Sequence, residues 1–172
     1  MRLPAIAPGT RPELAEIEAR IRAERGRISP LYQVLLNSPA VAHGWEQMLS
    51  AVRNRSSLGA RLKELIILRV AVINRAPYEF EAHAPLALAA GVSEATLAAI
   101  QQAVIPQDAG LDPGEREVLA LTDAMTRDIA VSDAVYQAVS ARFSDQNMLD
   151  IVATIAAYNM VSRLLEALQI GH

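Results

Sequence analysis

The chain has 172 residues, enough for one domain of ordinary size with its own hydrophobic core. Hydrophobic residues make up 52 % of it but aromatic residues only 4 %, so the core is built from Ala, Leu, Ile and Val, a composition that favours helix over sheet. The formal charge is −3 and no basic run exists, which gives a nucleic-acid role no electrostatic support. There are no cysteines, which excludes disulfides, thiolate metal sites and cysteine redox catalysis within the chain.

The first dozen residues carry Pro4, Pro8, Gly9 and Pro12 and read as an irregular arm. This start lacks the apolar stretch of a signal peptide. The longest apolar run, "LIILRVAVI", is short for a membrane span and contains Arg69. The expectation is a soluble cytoplasmic protein. From Glu13 to Arg25 a thin stripe of Leu14, Ile17 and Ile21 predicts a peripheral helix. Ser29-Pro30 and Ser38-Pro39 each set a capping hydroxyl before a first-turn proline. They predict helices near 31–36 and 39–53.

The stretch "SSLGARLKELIILRVAVINRA" has apolar positions nearly all round. A strand is an alternative for its β-branched centre. The pattern, however, extends back through Arg61 to Glu64 without a turn signal, which decides for a buried helix. Pro77 then allows a new helix, ended by Gly91 and with Pro85 as a possible kink. Ser93 starts the next, which ends before Pro106. Asp112-Pro113 opens one to about Ile129, Ser132 one to about Arg142, and Ser144 the long last one. The whole reads as all-α, a single domain over 1–172 with residues 1–12 as its arm.

"NRAPYEFEAH", Asn74 to His83, concentrates the chemistry. On a helix beginning at Pro77, Glu79 and His83 are one turn apart and share a face. Glu64, on the preceding helix, points into the same space if the short link makes the two helices neighbours. A carboxylate, an imidazole and a second carboxylate in an apolar setting suit proton transfer. Tyr78 and Asn74 are candidates for hydrogen bonds to a substrate. The competing reading is an ordinary surface pair between residues one turn apart, worth a few tenths of a kcal/mol at most. A metal site is the weaker reading, because His43 and His172 lie in unrelated contexts and three ligands are the norm. No metal is expected.

Other residues have two readings each. His43 either lines the pocket or is a helix-surface or interface residue. Trp45, the only tryptophan, anchors the core or a subunit contact. Arg69 is either a structural ion pair, with Asp150 or Glu64 as partner, or a clamp for a carboxylate substrate; the structural reading is preferred. Tyr158 and Asn159 reach the pocket or serve helix packing.

The segment "RLKELIILRVAVINRAPYEFEAHAPLALAAGVSEATL" resembles the central motif of the carboxymuconolactone decarboxylase family, which includes the alkylhydroperoxidase D group. The tail "YNMVSRLLEALQI" is similar to the C-terminal segment of its longer members, so the resemblance runs from about residue 30 onward. It implies an alkylhydroperoxidase D-like helical bundle. The peroxidase branch carries Glu, Cys-x-x-Cys and His at fixed spacing. Laid on this sequence, the Glu falls on Glu64, the cysteines on Ala76 and Glu79, and the His on His83.

With both cysteines absent there is no thiolate to attack a peroxide. The decarboxylase branch also has a Glu four residues before the His. The resemblance therefore implies a cofactor-free enzyme acting on a small carboxylated lactone or an enolisable acid. His83 would be the general acid–base, Glu79 its orienting or proton-shuttling partner, and Glu64 a supporting carboxylate. Two other classes stand beside this. One is a peroxidase-lineage oxidative-stress protein that needs a partner thiol; the other is a non-catalytic oligomeric binding protein. A homo-oligomer is expected in each case, a dimer, trimer or hexamer by resemblance, because the helix from Leu62 to Ile73 looks apolar on nearly every side.

Overall fold

The computed structural model describes residues 1–171. Its described residues form nine α-helices, one short 3-10 turn and no strand. Two compact units are present. One holds Met1–Arg55 and the residues from Leu164 onward, and the other holds Ser56–Arg163.

In the first unit a 3-10 turn, Pro12–Leu14, leads into α1 (Ala15–Arg25), where one longer helix was expected. Helix α1 ends at Gly26, whose φ of 74° is the left-handed geometry that glycine accepts without strain. Helices α2 (Pro30–Leu35) and α3 (Pro39–Asn54) begin at the two prolines. Neither Ser29 nor Ser38 caps its helix with the hydroxyl. The backbone carbonyl of each accepts the first helical bond, from Gln33 N at 2.9 Å and from Ala42 N at 2.9 Å. Ser38, with ψ at 93°, is far from the extended geometry of the serines that do cap. Residues 1–11 are irregular but anchored. Ile6 is buried, and its N–H donates to the Gln33 carbonyl at 3.0 Å. Trp45 is buried in this unit.

The second unit contains α4 (Ala60–Ile73), α5 (Pro77–Ala89), α6 (Glu94–Ala99), α7 (Pro113–Arg127), α8 (Asp133–Ser140) and most of α9 (Asp145–Leu168). Its core joins Leu65 and Leu68 of α4 to Ala87 of α5, Val92, Leu97 and Ile100 around α6, and Leu119 of α7. Helix α4 is covered within the chain: Leu65, Ile66, Ile67, Leu68 and Val70 are all fully buried. Asp112 starts α7 with a complete capping box, accepting from Glu115 N while the Glu115 side chain accepts from Asp112 N. Ser93 and Ser132 cap α6 and α8 with their hydroxyls.

Two arginines of α4 clasp α7. Arg61 pairs with Glu115 at 2.6 Å and also donates to the carbonyls of Gly91 and Gly110. Arg69 pairs with Asp123 at 2.5 Å. The spacing of the arginines on α4 equals that of their partners on α7, so the two helices run parallel. The expected partners of Arg69, Asp150 and Glu64, are otherwise engaged. Asp150 accepts from the Ser57 N–H and hydroxyl, and Glu64 is bonded to His83. Arg69 also takes the carbonyls of Ile100, Gln102 and Ala103, the orphan acceptors beyond the end of α6.

Helix α9 is long and apolar enough to cross a membrane by length and composition, yet more than half of that stretch is buried inside the chain. Its interior side carries Thr154, Tyr158, Asn159 and Ser162, a polar set suited to packing and hydrogen bonding within the fold.

Candidate functional site

The site is built on the turn between α4 and α5. Arg75 adopts φ 56°, a left-handed geometry, and Ala76 N–H reaches back to the Ala71 carbonyl at 2.9 Å, closing α4 in a Schellman-type turn. Pro77 then stands at the first position of α5, where its missing N–H costs nothing. So abrupt a reversal lays α5 back along α4 and sets His83 opposite Glu64.

His83 Nδ1 lies 2.7 Å from Glu64 Oε2, and both side chains are about nine-tenths buried. A carboxylate at Nδ1 fixes the ring orientation and the tautomer: with Nδ1–H donating, the neutral ring keeps its lone pair on Nε2. The Tyr158 ring from α9 meets the His83 ring edge-on, with centroids 5.2 Å apart and planes at 89°. His83 is thus held from two sides, by a charge-capable bond and by an aromatic wall.

Glu79 is only 2 % exposed. Its Oε2 is hydrogen-bonded to the Ser162 hydroxyl on α9, and the same hydroxyl lies 2.9 Å from the Tyr158 carbonyl. Glu64, expected to stand behind Glu79, is the carboxylate bonded to His83, and Glu79 is tied to α9. The helical hairpin decides this, because Glu64 faces His83 directly across it. Ser162 escaped the sequence reading; its only signal was a small polar residue within the apolar stretch of α9.

Asn74 is half-buried and donates its amide to Asn159 Oδ1 at 3.0 Å. Asn159 in turn donates to Thr126 Oγ1 and to the Ile155 carbonyl, and accepts from Arg163. Asn74 and Asn159 therefore belong to a network that binds the turn to α9. Tyr78 is half-buried at the start of α5. His43 is exposed on α3, with Arg20 Nη1 at 2.5 Å from its Nε2, the helix-surface placement. His172 lies outside the described residues. Among the described residues no three His, Asp or Glu side chains gather as metal ligands.

Two adjoining grooves run along the α5–α6 face. One, of about 400 Å³, is lined by Phe80, Pro85, Leu88 and Leu97 among others. The other, of about 540 Å³, is lined by Val72, Arg75, Pro77 and Phe80 among others. Glu81 and Gln101 border both, and neither groove is lined by Glu64 or His83.

This all-helical architecture is the alkylhydroperoxidase D-like fold. It is shared with an uncharacterized peroxidase-related protein from Silicibacter sp. TM1040, at a TM-score of 0.81 and 18 % identity, covering 99 % of this chain and 89 % of that one. It is shared also with an alkylhydroperoxidase AhpD core protein from Ralstonia eutropha JMP134, at a TM-score of 0.82 and 16 % identity, covering 98 % and 90 %. The debrominase Bmp8, solved as a variant in complex with 2,3,4-tribromopyrrole, superposes at a TM-score of 0.80 with 16 % identity, covering 99 % and 90 %. At such identities the likeness speaks for the fold alone. No curated protein matches the sequence. Residues 39–109 match the carboxymuconolactone decarboxylase family, a stretch that holds Glu64, Ala76, Glu79 and His83. The chain thus carries a carboxymuconolactone decarboxylase family region on an alkylhydroperoxidase D-like fold, without a cysteine. That match is narrower than the resemblance read from residue 30 onward.

Proposed function

We propose that the protein is a cofactor-free lyase in the manner of carboxymuconolactone decarboxylase. It would act by acid–base chemistry on a small carboxylated lactone or a related enolisable acid. The observation that supports this is the buried 2.7 Å bond between His83 and Glu64. In this reading His83 is the general acid–base, working through Nε2, and Glu64 stabilises the imidazolium that forms when the ring takes a proton. Decarboxylation needs a carbonyl as electron sink, which the lactone or keto group of the substrate provides. It then needs a proton on carbon, which His83 delivers. Tyr78, in the first turn of α5, and Asn74, at the end of α4, are assigned to substrate binding. Peroxide reduction has no thiol in the chain to carry it.

The test is a screen of lactones and β-keto acids read by carbon dioxide release. The expected result is release above the buffer blank from at least one compound, lost in a folded His83→Asn variant. No release across the screen would overturn the reading, and so would undiminished release by His83→Asn. Tight binding without turnover would favour a binding protein.

A further inference from the structure

Arg75 stands where the turn between α4 and α5 would be easiest for glycine. Its φ of 56° is the left-handed geometry that strains a residue with a Cβ. Helices α1 and α5 reach that geometry at their ends with Gly26 and Gly91. The fold gains no side-chain bond from the arginine in return. Among the described residues its guanidinium makes no hydrogen bond or ion pair, and the side chain is exposed. The other arginines of the second unit, Arg61, Arg69, Arg116, Arg127, Arg142 and Arg163, all bond within the chain. Ile129 and Gln169 share the positive φ, but neither borders the grooves along α5.

Arg75 borders the groove of about 540 Å³, a volume in the ordinary range of small-molecule sites. The wall beside it is apolar, made by Val72 of α4 and by Pro77 and Phe80 of α5. Ala76 and Pro77, the entry to α5, line it as well, and no side chain caps that helix start. The first N–H groups of α5 therefore add positive potential to that of the guanidinium. Glu81 borders the groove one turn further on, and its carboxylate disfavours a ligand with more than one negative charge.

We propose that this groove binds a singly charged organic anion, with its carboxylate on the Arg75 guanidinium and a flat apolar body against Val72, Pro77 and Phe80. The planar fork of an arginine matches a carboxylate with two parallel bonds, which a lysine or a neutral side chain does not offer. The ligand accounts for a charged side chain kept at a position where the backbone favours glycine. Neither Glu64 nor His83 lines the groove, so the site is separate from the acid–base pair and does not rest on the decarboxylase reading.

The test titrates naphthoate, and in parallel the neutral naphthamide, into the isotope-labelled full chain and follows the amide resonances. Naphthoate should shift the signals of Val72, Ala76, Phe80 and Gln101, which line the groove, and should bind roughly tenfold or more tighter than naphthamide. Arg75→Gly should bring naphthoate down to the affinity of naphthamide and leave naphthamide itself unchanged. Its urea midpoint should be no lower than that of the unsubstituted protein, because glycine relieves the turn. Arg75→Asn, which also tolerates a positive φ, should lose naphthoate in the same way and serves if the glycine variant does not fold. Equal affinity for the two probes, shifts confined to residues outside the groove, or full naphthoate affinity in either variant would overturn the proposal. A urea midpoint lowered in both variants would also overturn it, since Arg75 would then serve the fold. Naphthoate held by Arg75 in a protein that releases no carbon dioxide would retain this proposal while refuting the decarboxylase reading.

Discussion

Arg69 Nε and Nη2 donate to the two carboxylate oxygens of Asp123 at 2.6 and 2.5 Å, a two-pronged bond between α4 and α7. The arginine is fully buried, while the Asp123 side chain keeps about a quarter of its surface. Removing Arg69 abandons three carbonyls as well as the aspartate. Arg69→Met is therefore expected to cost about 3–5 kcal/mol, the range for a broken buried pair. Asp123→Ala is expected to cost less, because the guanidinium keeps its three carbonyl partners. Urea unfolding of both variants checks the order; equal or reversed losses would show that the carbonyl bonds contribute nothing.

The same arginine shows how far the sequence carries. A charge within "LIILRVAVI" announces a buried arginine with a partner, and its structural role was legible. The partner was not, because Asp123 lies on a helix whose register against α4 is set by the whole core. Helix starts were legible wherever a proline or an Asp/Ser signal stood, as at Pro77 and Asp112, since those effects are local. Their fine chemistry was not: Ser29 and Ser38 look like the capping Ser93 and Ser132, yet make no hydroxyl cap. Glu64 and His83 were legible as neighbours from the spacing and the resemblance. Which carboxylate meets the imidazole depended on the turn geometry at Arg75, and Ser162 depended on the rotation of α9.

The Glu64–His83 bond sets the expectation for activity. On the substrate found by the carbon dioxide screen, His83→Asn is expected to lower kcat by roughly 10²–10⁴, the range for loss of a general acid–base. Glu64→Gln is expected to lower kcat less, because the ring remains and only its orientation and charge stabilisation suffer. Circular dichroism would establish that both variants fold. A Glu64→Gln variant with unchanged kcat would remove Glu64 from the machinery.

Thiol-dependent peroxidase activity is expected to be absent. Peroxide reduction by this route oxidises a thiolate to a sulfenic acid, and the chain has no sulfur but that of methionine. Turnover of an organic hydroperoxide with a dithiol reductant, above the blank, would refute this.

Alkaline pH is expected to weaken the first unit through Tyr32. Burial is the main cause that pushes its phenol up from the ordinary value of 10.0; Arg25, stacked over the ring at 5.5 Å, pulls the other way. The folded protein therefore keeps a proton that the unfolded chain releases near pH 10. The contribution of Tyr32 to stability is complete below that pH and is lost as pH rises through the folded-state value. Tyr32→Phe should leave the tyrosinate absorbance near pH 10 unchanged and remove only signal that appears above it. A loss of signal at the ordinary pH would contradict the burial argument.

A homo-oligomer remains the expectation, for a reason other than the one the sequence suggested. Helix α4 needs no neighbouring subunit, since the chain covers it. Large apolar side chains are exposed on several elements, and two of them, Leu86 and Leu88 at 41 % and 38 %, lie on α5. Leu88 and Pro85 border the groove against α6, so the exposed leucines extend a larger apolar surface rather than standing alone. Identical chains that share such a patch associate through it with closed symmetry. Light scattering at micromolar concentration should give a mass above that of one 18.6 kDa chain. Leu86→Lys combined with Leu88→Glu should shift the mass toward the single chain without loss of helical signal, because both side chains reach solvent. A single-chain mass for the unsubstituted protein would mean that this face meets only water.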